Sequence, residues 1–114
     1  MDDARLPAHL EVAGLIRQTQ SLGGFATVIQ RGERDAGTIL IVMCENARNS
    51  RLYERMPSAD GGRIWQLSLA QDVENKQYFE DYLARRKAQD PDSWMIELDI
   101  AQAERLIGLD PVTR

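Results

Sequence analysis

Apolar residues recur along this chain with three spacings, and each spacing predicts an element. Val12, Leu15, Ile16, Thr19 and Leu22 fall three or four apart, behind a Pro7 that a first helical turn tolerates and ahead of Gly23 and Gly24. This predicts an amphipathic helix over about residues 8 to 22. FATVIQ, residues 25 to 30, and TILIVMC, residues 38 to 44, are rich in β-branched and aromatic residues and read as two strands of a hairpin joined by RGERDAG. The second is apolar at almost every position, so it should be central and covered on both faces.

RLYERM alternates after the turn-forming NARNS, and RIWQLSL returns after PSADGG, which predicts a second hairpin. Asp72 can cap a long helix whose stripe is Val73, Tyr78, Phe79, Tyr82 and Leu83, ended before Pro91. Trp94, Ile96 and Leu98 then alternate with Met95, Glu97 and Asp99 as a fifth strand. Asp99 and Gln102 stand in capping-box relation, predicting a short closing helix AQAERLIG that stops at Gly108. The order α-β-β-β-β-α-β-α implies an α+β domain, with a mostly antiparallel sheet of about five strands and helices packed on one of its faces. One globular domain over residues 1–114 is expected, ordered over about 8–107 and frayed at both ends.

Composition changes the picture mainly by exclusion. A chain of 114 residues can bury roughly 65% of its unfolded surface, and 43% hydrophobic with 28% charged residues excludes a disordered chain. The longest apolar run, ILIVMC, is far below the roughly 18 residues of a spanning helix, so no membrane association is expected. The acidic start MDDARL does not look like an export signal, and one cysteine, Cys44, forms no intrachain disulfide; a cytoplasmic protein fits. A net charge of −4 is the wrong sign for a surface that grips nucleic acid everywhere, so any anion site must be local.

RGERDAG copies the glycine spacing of a phosphate loop, but it lacks the lysine and runs into a strand rather than a helix. Its two positive and two negative charges solvate a turn, and Gly32 and Gly37 would supply positive φ angles for a hairpin connector. Cys44 with His9 offers a formal nucleophile and base, yet nothing near Cys44 would stabilise a thiolate. Glu97 and Asp99 share a strand face, which an exposed edge and a helix cap explain equally well. No catalytic set, metal site or cofactor is therefore expected.

The pattern richest in binding chemistry is ENARNSRLYERMP. Arg51, Tyr53 and Arg55 point to one face of a strand and Leu52, Glu54 and Met56 to the other. Pairing Tyr53 with Trp65 would add Arg63 and Trp65 to that face, making a surface that could stack a base or hold a phosphate. A slip of one residue would dissolve it. The competing reading is a half-buried strand whose arginines pair with Glu54, Glu45 or Asp60, and the general rule that charge patterns are solvated faces favours it.

The blocks LPAHLEVAGLIR, GGFATVIQRGERDAGTILIV, ENARNSRLYERMP and YFEDYLARRKAQDPDSWMIELD, in that order, resemble a family of small alphaproteobacterial proteins catalogued as domain of unknown function 1491. The resemblance covers nearly the whole chain and implies a free-standing, single-domain cytoplasmic protein from an alphaproteobacterium. It brings no catalytic or binding residues with it. Twelve arginines among fourteen basic residues fit that origin. The expectation for function is a non-enzymatic accessory module that binds another protein. The alternative is a binder of nucleic acid or a phosphorylated ligand through Arg51, Tyr53, Arg55, Arg63 and Trp65, and the third an uncharacterised enzyme. An uncovered edge strand could also pair two copies.

Overall fold

The stripe beginning at Ala8 winds into α1 (Ala8–Ser21), burying Ala8, Val12, Leu15 and Thr19. Gly23, at φ 91°, turns the chain out of that helix into β1 (Phe25–Gln30). The computed structural model describes residues 6–111, so of the frayed ends expected on either side of 8–107, residues 1–5 and 112–114 lie outside the described residues. The other elements are β2 (Ile39–Glu45), β3 (Arg48–Pro57), β4 (Arg63–Ala70), α2 (Lys76–Gln89), β5 (Trp94–Asp99) and a closing 3-10 helix (Ala103–Ile107).

The five strands form one sheet in the order β1-β5-β2-β3-β4, antiparallel except where β2 runs parallel to β5. The expected α+β architecture with a mostly antiparallel sheet is therefore present. β2 is central, and Ile39 through Cys44 are all buried. Each large side chain in that run contributes about 1.5–3 kcal/mol of burial.

Five expectations are corrected. β1 and β2 are not a hairpin, because β5 lies between them. RGERDAG steps over the start of β5, with the Glu33 N–H donating to the Asp92 carbonyl at 2.7 Å and the Trp94 N–H to Thr38 at 2.7 Å. Gly32 and Gly37 have no positive φ. They are glycines because a Cβ on either would collide with the Asp92 carbonyl and the Trp94 ring.

The helices lie on opposite faces. α1 packs with Ile39, Ile41, Met43, Tyr53, Ile96 and Leu98, while Phe79 of α2 packs with Leu40, Val42, Leu52 and Met95. A strand apolar at every position presents two apolar faces, and each one needs a cover.

Asp99 does not cap a closing α-helix. Its carboxylate accepts from the Asn46 and Ala47 N–H groups at 2.7 and 3.1 Å, bracing the β2–β3 turn, and the closing segment is a 3-10 helix preceded by a left-handed Gln102. Asp72 likewise caps a turn rather than the helix, accepting from the N–H groups of Glu74 and Asn75, so α2 begins at Lys76 and Val73 is left 91% exposed.

Candidate functional site

The β3–β4 ladder fixes the register that alternation alone left open. Arg55 lies opposite Trp65, Tyr53 opposite Leu67 and Pro57 opposite Arg63. The pairing is offset by two residues from the Tyr53–Trp65 register, and an offset of two preserves the face. Arg51, Tyr53, Arg55, Arg63 and Trp65 consequently all sit on one face of the sheet, the face that α1 and the 3-10 helix approach.

Most of that face is closed over by acids. Glu104, fully buried, accepts from Arg51 Nε at 2.7 Å and Nη2 at 2.8 Å in a bidentate pair, and from the Tyr53 hydroxyl at 3.1 Å. Arg51 Nη1 donates to the Asn49 carbonyl at 2.8 Å. Burial pushes the Glu104 carboxyl up, but the Arg51 hydrogen bonds and charge together outweigh it and hold the group below its usual range. Burial, followed by the Glu104 charge, pushes the Tyr53 phenol up to about 12, so it stays a neutral donor.

One strand period further on, Arg55 makes a forked pair with Glu11 of α1 and stacks over Trp65, its guanidinium carbon 4.3 Å from the ring centroid. Among the described residues, Arg55 Nε is the only buried side-chain nitrogen or oxygen without a hydrogen-bond partner. An orphan donor of this kind costs about 1–3 kcal/mol. Trp65 is half-buried and Arg63 is exposed.

The partners of Arg51 and Arg55 are thus Glu104 and Glu11, not Glu54, Glu45 or Asp60. Glu54 faces the other way, where it accepts from Arg86 at 2.8 Å and Tyr82 at 3.4 Å of α2. Glu11 carried a signal in the sequence, since it falls inside the 8, 11, 12, 15 stripe where an acid is out of place unless paired. Glu104 carried none, because a 3-10 helix of five residues is too short to show a period.

The other chemistry-bearing residues do not converge. His9 is tied to the loop before β2, its Nδ1 3.0 Å from the Arg34 carbonyl, whereas Cys44 is at the far end of β2 and shares the face of Leu40 and Val42. Burial, with the charges of Glu97 and Asp99 added, pushes the Cys44 thiol up to about 12, opposite to what a nucleophile needs. Burial also raises the Glu97 carboxyl, helped by Asp99 and Glu80, while Asp99 is committed to the β2–β3 turn. No cluster of three or more His, Cys, Asp or Glu suited to a metal exists among the described residues. Nor is any helix among them long and apolar enough to cross a membrane.

Comparison with known proteins matches residues 6–108 to the family described as "Protein of unknown function (DUF1491)". A crystal structure of a DUF1491 family protein from Caulobacter crescentus CB15 superposes with a TM-score of 0.79 at 28% identity, covering 96% of this chain and 100% of that one. An NMR structure of a DUF1491 family protein from the same organism gives 0.75 at 28% identity, covering 96% and 97%. The solution structure of protein Atu0922 from A. tumefaciens shares the fold, with a TM-score of 0.75 at 24% identity over 96% of this chain and 98% of that one. No curated protein matches. With a family match spanning nearly all of the described residues and the same fold in its relatives, this chain belongs to the DUF1491 family.

Proposed function

We propose that this protein is a non-enzymatic accessory module that binds another protein by taking an extended segment of it onto β4. The observation that carries the reading is the edge itself. β4 is an outer strand of the sheet, eight residues long and free of proline, and only Trp65 and Leu69 reach the two cores. Ile64 is 52% and Leu67 40% exposed, with Met56 of β3 alongside at 41%. Such an edge offers backbone donors and acceptors together with apolar side chains to an added strand. The opposite edge is better covered, since Ala26, Val28 and Ile29 of β1 pack into the cores.

A different protein is favoured over a second copy by the bulge at Ser68, which has no partner across from β3 because Leu52 pairs with Leu69 and Tyr53 with Leu67. Symmetric antiparallel pairing along the whole strand would set two such bulges near its centre. A short partner segment needs only the regular stretch from Arg63 to Leu67.

The test is selection of extended peptides from a random library, with binding mapped by amide chemical shifts. Peptides that perturb residues 63–67 and lose binding to an Ile64→Lys, Leu67→Lys variant support the reading. Peptides that bind elsewhere, or concentration-dependent dimerisation through β4, overturn it. The alternative, a binder of nucleic acid or a phosphorylated ligand, has Arg55, Arg63 and Trp65 near the surface, while Arg51 and Tyr53 are spent on Glu104. It requires a single-stranded oligonucleotide to bind with affinity that falls steeply with salt.

A further inference from the structure

The β3–β4 ladder determines which backbone groups of β4 face its open side. The Ser58 N–H donates to the Gly62 carbonyl at 2.9 Å and the Gln71 N–H to the Ser50 carbonyl at 2.8 Å, so hydrogen-bonded pairs stand at both ends of the ladder. Antiparallel pairs alternate between hydrogen-bonded and non-bonded. Inwards from Ser58–Gly62, the pairs Met56–Ile64 and Glu54–Gln66 are therefore bonded, while Pro57–Arg63, Arg55–Trp65 and Tyr53–Leu67 are not. Pro57, which has no N–H, sits where none is needed. The alternation from either end meets at Leu52, with Ser68 as the extra residue of the bulge. The N–H and C=O groups of Arg63, Trp65 and Leu67 consequently point away from β3.

Among the described residues, no turn or loop bonds to the backbone of Trp65 or Leu67. The regular stretch is bounded at one end by the bulge and at the other by the tight turn through Gly61, at φ 91°. A segment confined to Arg63–Leu67 uses both groups of Trp65 and of Leu67 only when it runs antiparallel to β4. Run parallel over the same span, it misses the Leu67 carbonyl, because parallel bonds are slanted along the strands.

The side chains set a matching preference. Trp65 already has the Arg55 guanidinium carbon 4.3 Å from its ring centroid, and Arg55 is itself paired with Glu11. A second cation, brought by the added strand, would gain little there and lose hydration, whereas an aromatic side chain pairs with the indole. Leu67, 40% exposed, and Ile64, 52% exposed, offer aliphatic contacts on opposite faces, and exposed Gln66 lies beside Glu54. From this backbone pattern and these side chains we infer that β4 takes a strand running antiparallel to it. Read from its amino end, that strand is apolar, polar, aromatic and aliphatic, opposite Leu67, Gln66, Trp65 and Ile64 in turn. The inference rests on the reading of β4 as the docking edge and adds the direction and sequence class of the partner.

Peptides test it on the unaltered full chain. The probe is the capped peptide acetyl-Leu-Thr-Phe-Val-Ser-amide, compared with its reversed sequence and with versions carrying lysine in place of the phenylalanine or of the threonine. Amide chemical shifts locate binding, and a spin label on either end of the probe gives its direction. A label at the amino end should broaden the amides of Leu67 to Ala70 more than those of Gly61 to Arg63, and a label at the carboxyl end should do the reverse. Lysine for phenylalanine should weaken binding roughly tenfold or more, as should reversal, while lysine for threonine should change it little. With shifts still at residues 63–67, labels reporting a parallel strand, or undiminished binding of the phenylalanine-to-lysine peptide, would overturn the inference and leave the docking edge standing. So would a silent probe alongside library-selected peptides that do bind there. Shifts elsewhere, or none, with the probe and the library-selected peptides alike would overturn both.

Discussion

At the scale of single residues, backbone strain and buried charge make the sharpest predictions. Asn46 and Ala47 form the two-residue β2–β3 turn with φ 53° and 60°, the mirror-image geometry in which glycine is preferred at the second position. Alanine there carries the left-handed penalty of about 1–2 kcal/mol, so Ala47→Gly should raise stability by about 1 kcal/mol, read as a higher urea midpoint with an unchanged slope. The Arg51–Glu104 pair acts in the other direction. Glu104→Ala leaves a buried guanidinium uncompensated and should cost about 3–5 kcal/mol at neutral pH in the same assay. Since the folded Glu104 carboxyl is held below its usual range, its contribution is complete above the ordinary glutamate value of about 4.3 and is lost as pH falls through the lower folded value. Wild-type stability should therefore drop more steeply on acidification than that of the variant. The alternation of Arg51, Tyr53 and Arg55 was legible in the sequence, and their common face is real. What could not be read was which acids would cover it, because Glu104 and Arg51 are brought together across 53 positions of chain by the fold alone.

At the scale of elements, local signals were reliable and non-local ones were not. The α1 stripe, the wholly apolar β2 and the alternating β5 follow from spacing within each segment. The β1–β2 hairpin failed because a short charged loop between two strands is the local signature of a hairpin, while insertion of β5 depends on a parallel pairing with a strand more than 50 residues away. The same insertion explains RGERDAG, whose glycines serve close packing on Asp92 and Trp94. α2 was legible as a helix but not in its anchoring. Phe79 is its one buried residue, supported by half-buried Tyr82 and Leu83 and by the bonds of Tyr82 and Arg86 to Glu54. A helix held by one large side chain belongs to the low-stability end of the molecule. Its amides should exchange with solvent well before those of β2 and β5. Phe79→Ala should cost about 3–5 kcal/mol if the helix stays docked, with the α2 amides losing protection first under native-state hydrogen exchange.

At the scale of the whole molecule, the sheet has two edges that the chain treats differently. β1 is packed from both sides, whereas β4 projects with apolar residues exposed on both of its faces and only Arg63 charged along its length. Natural edge strands usually carry charges or prolines against unwanted pairing, and here Arg63 at one end and the bulge at Ser68 are the only such devices on the strand. The 28% identical Caulobacter crescentus relatives share this fold over almost their full length, so the edge can be examined in them as well. Hydrogen exchange of the β4 amides, in the free protein and with a library-selected extended peptide bound, decides whether β4 is the docking edge. Outward-facing amides between Arg63 and Leu67 should exchange readily in the free protein and become protected in the complex, while those of β1 do not change. Protection confined to β1, or to the RGERDAG loop, with β4 exchanging as before, would contradict it.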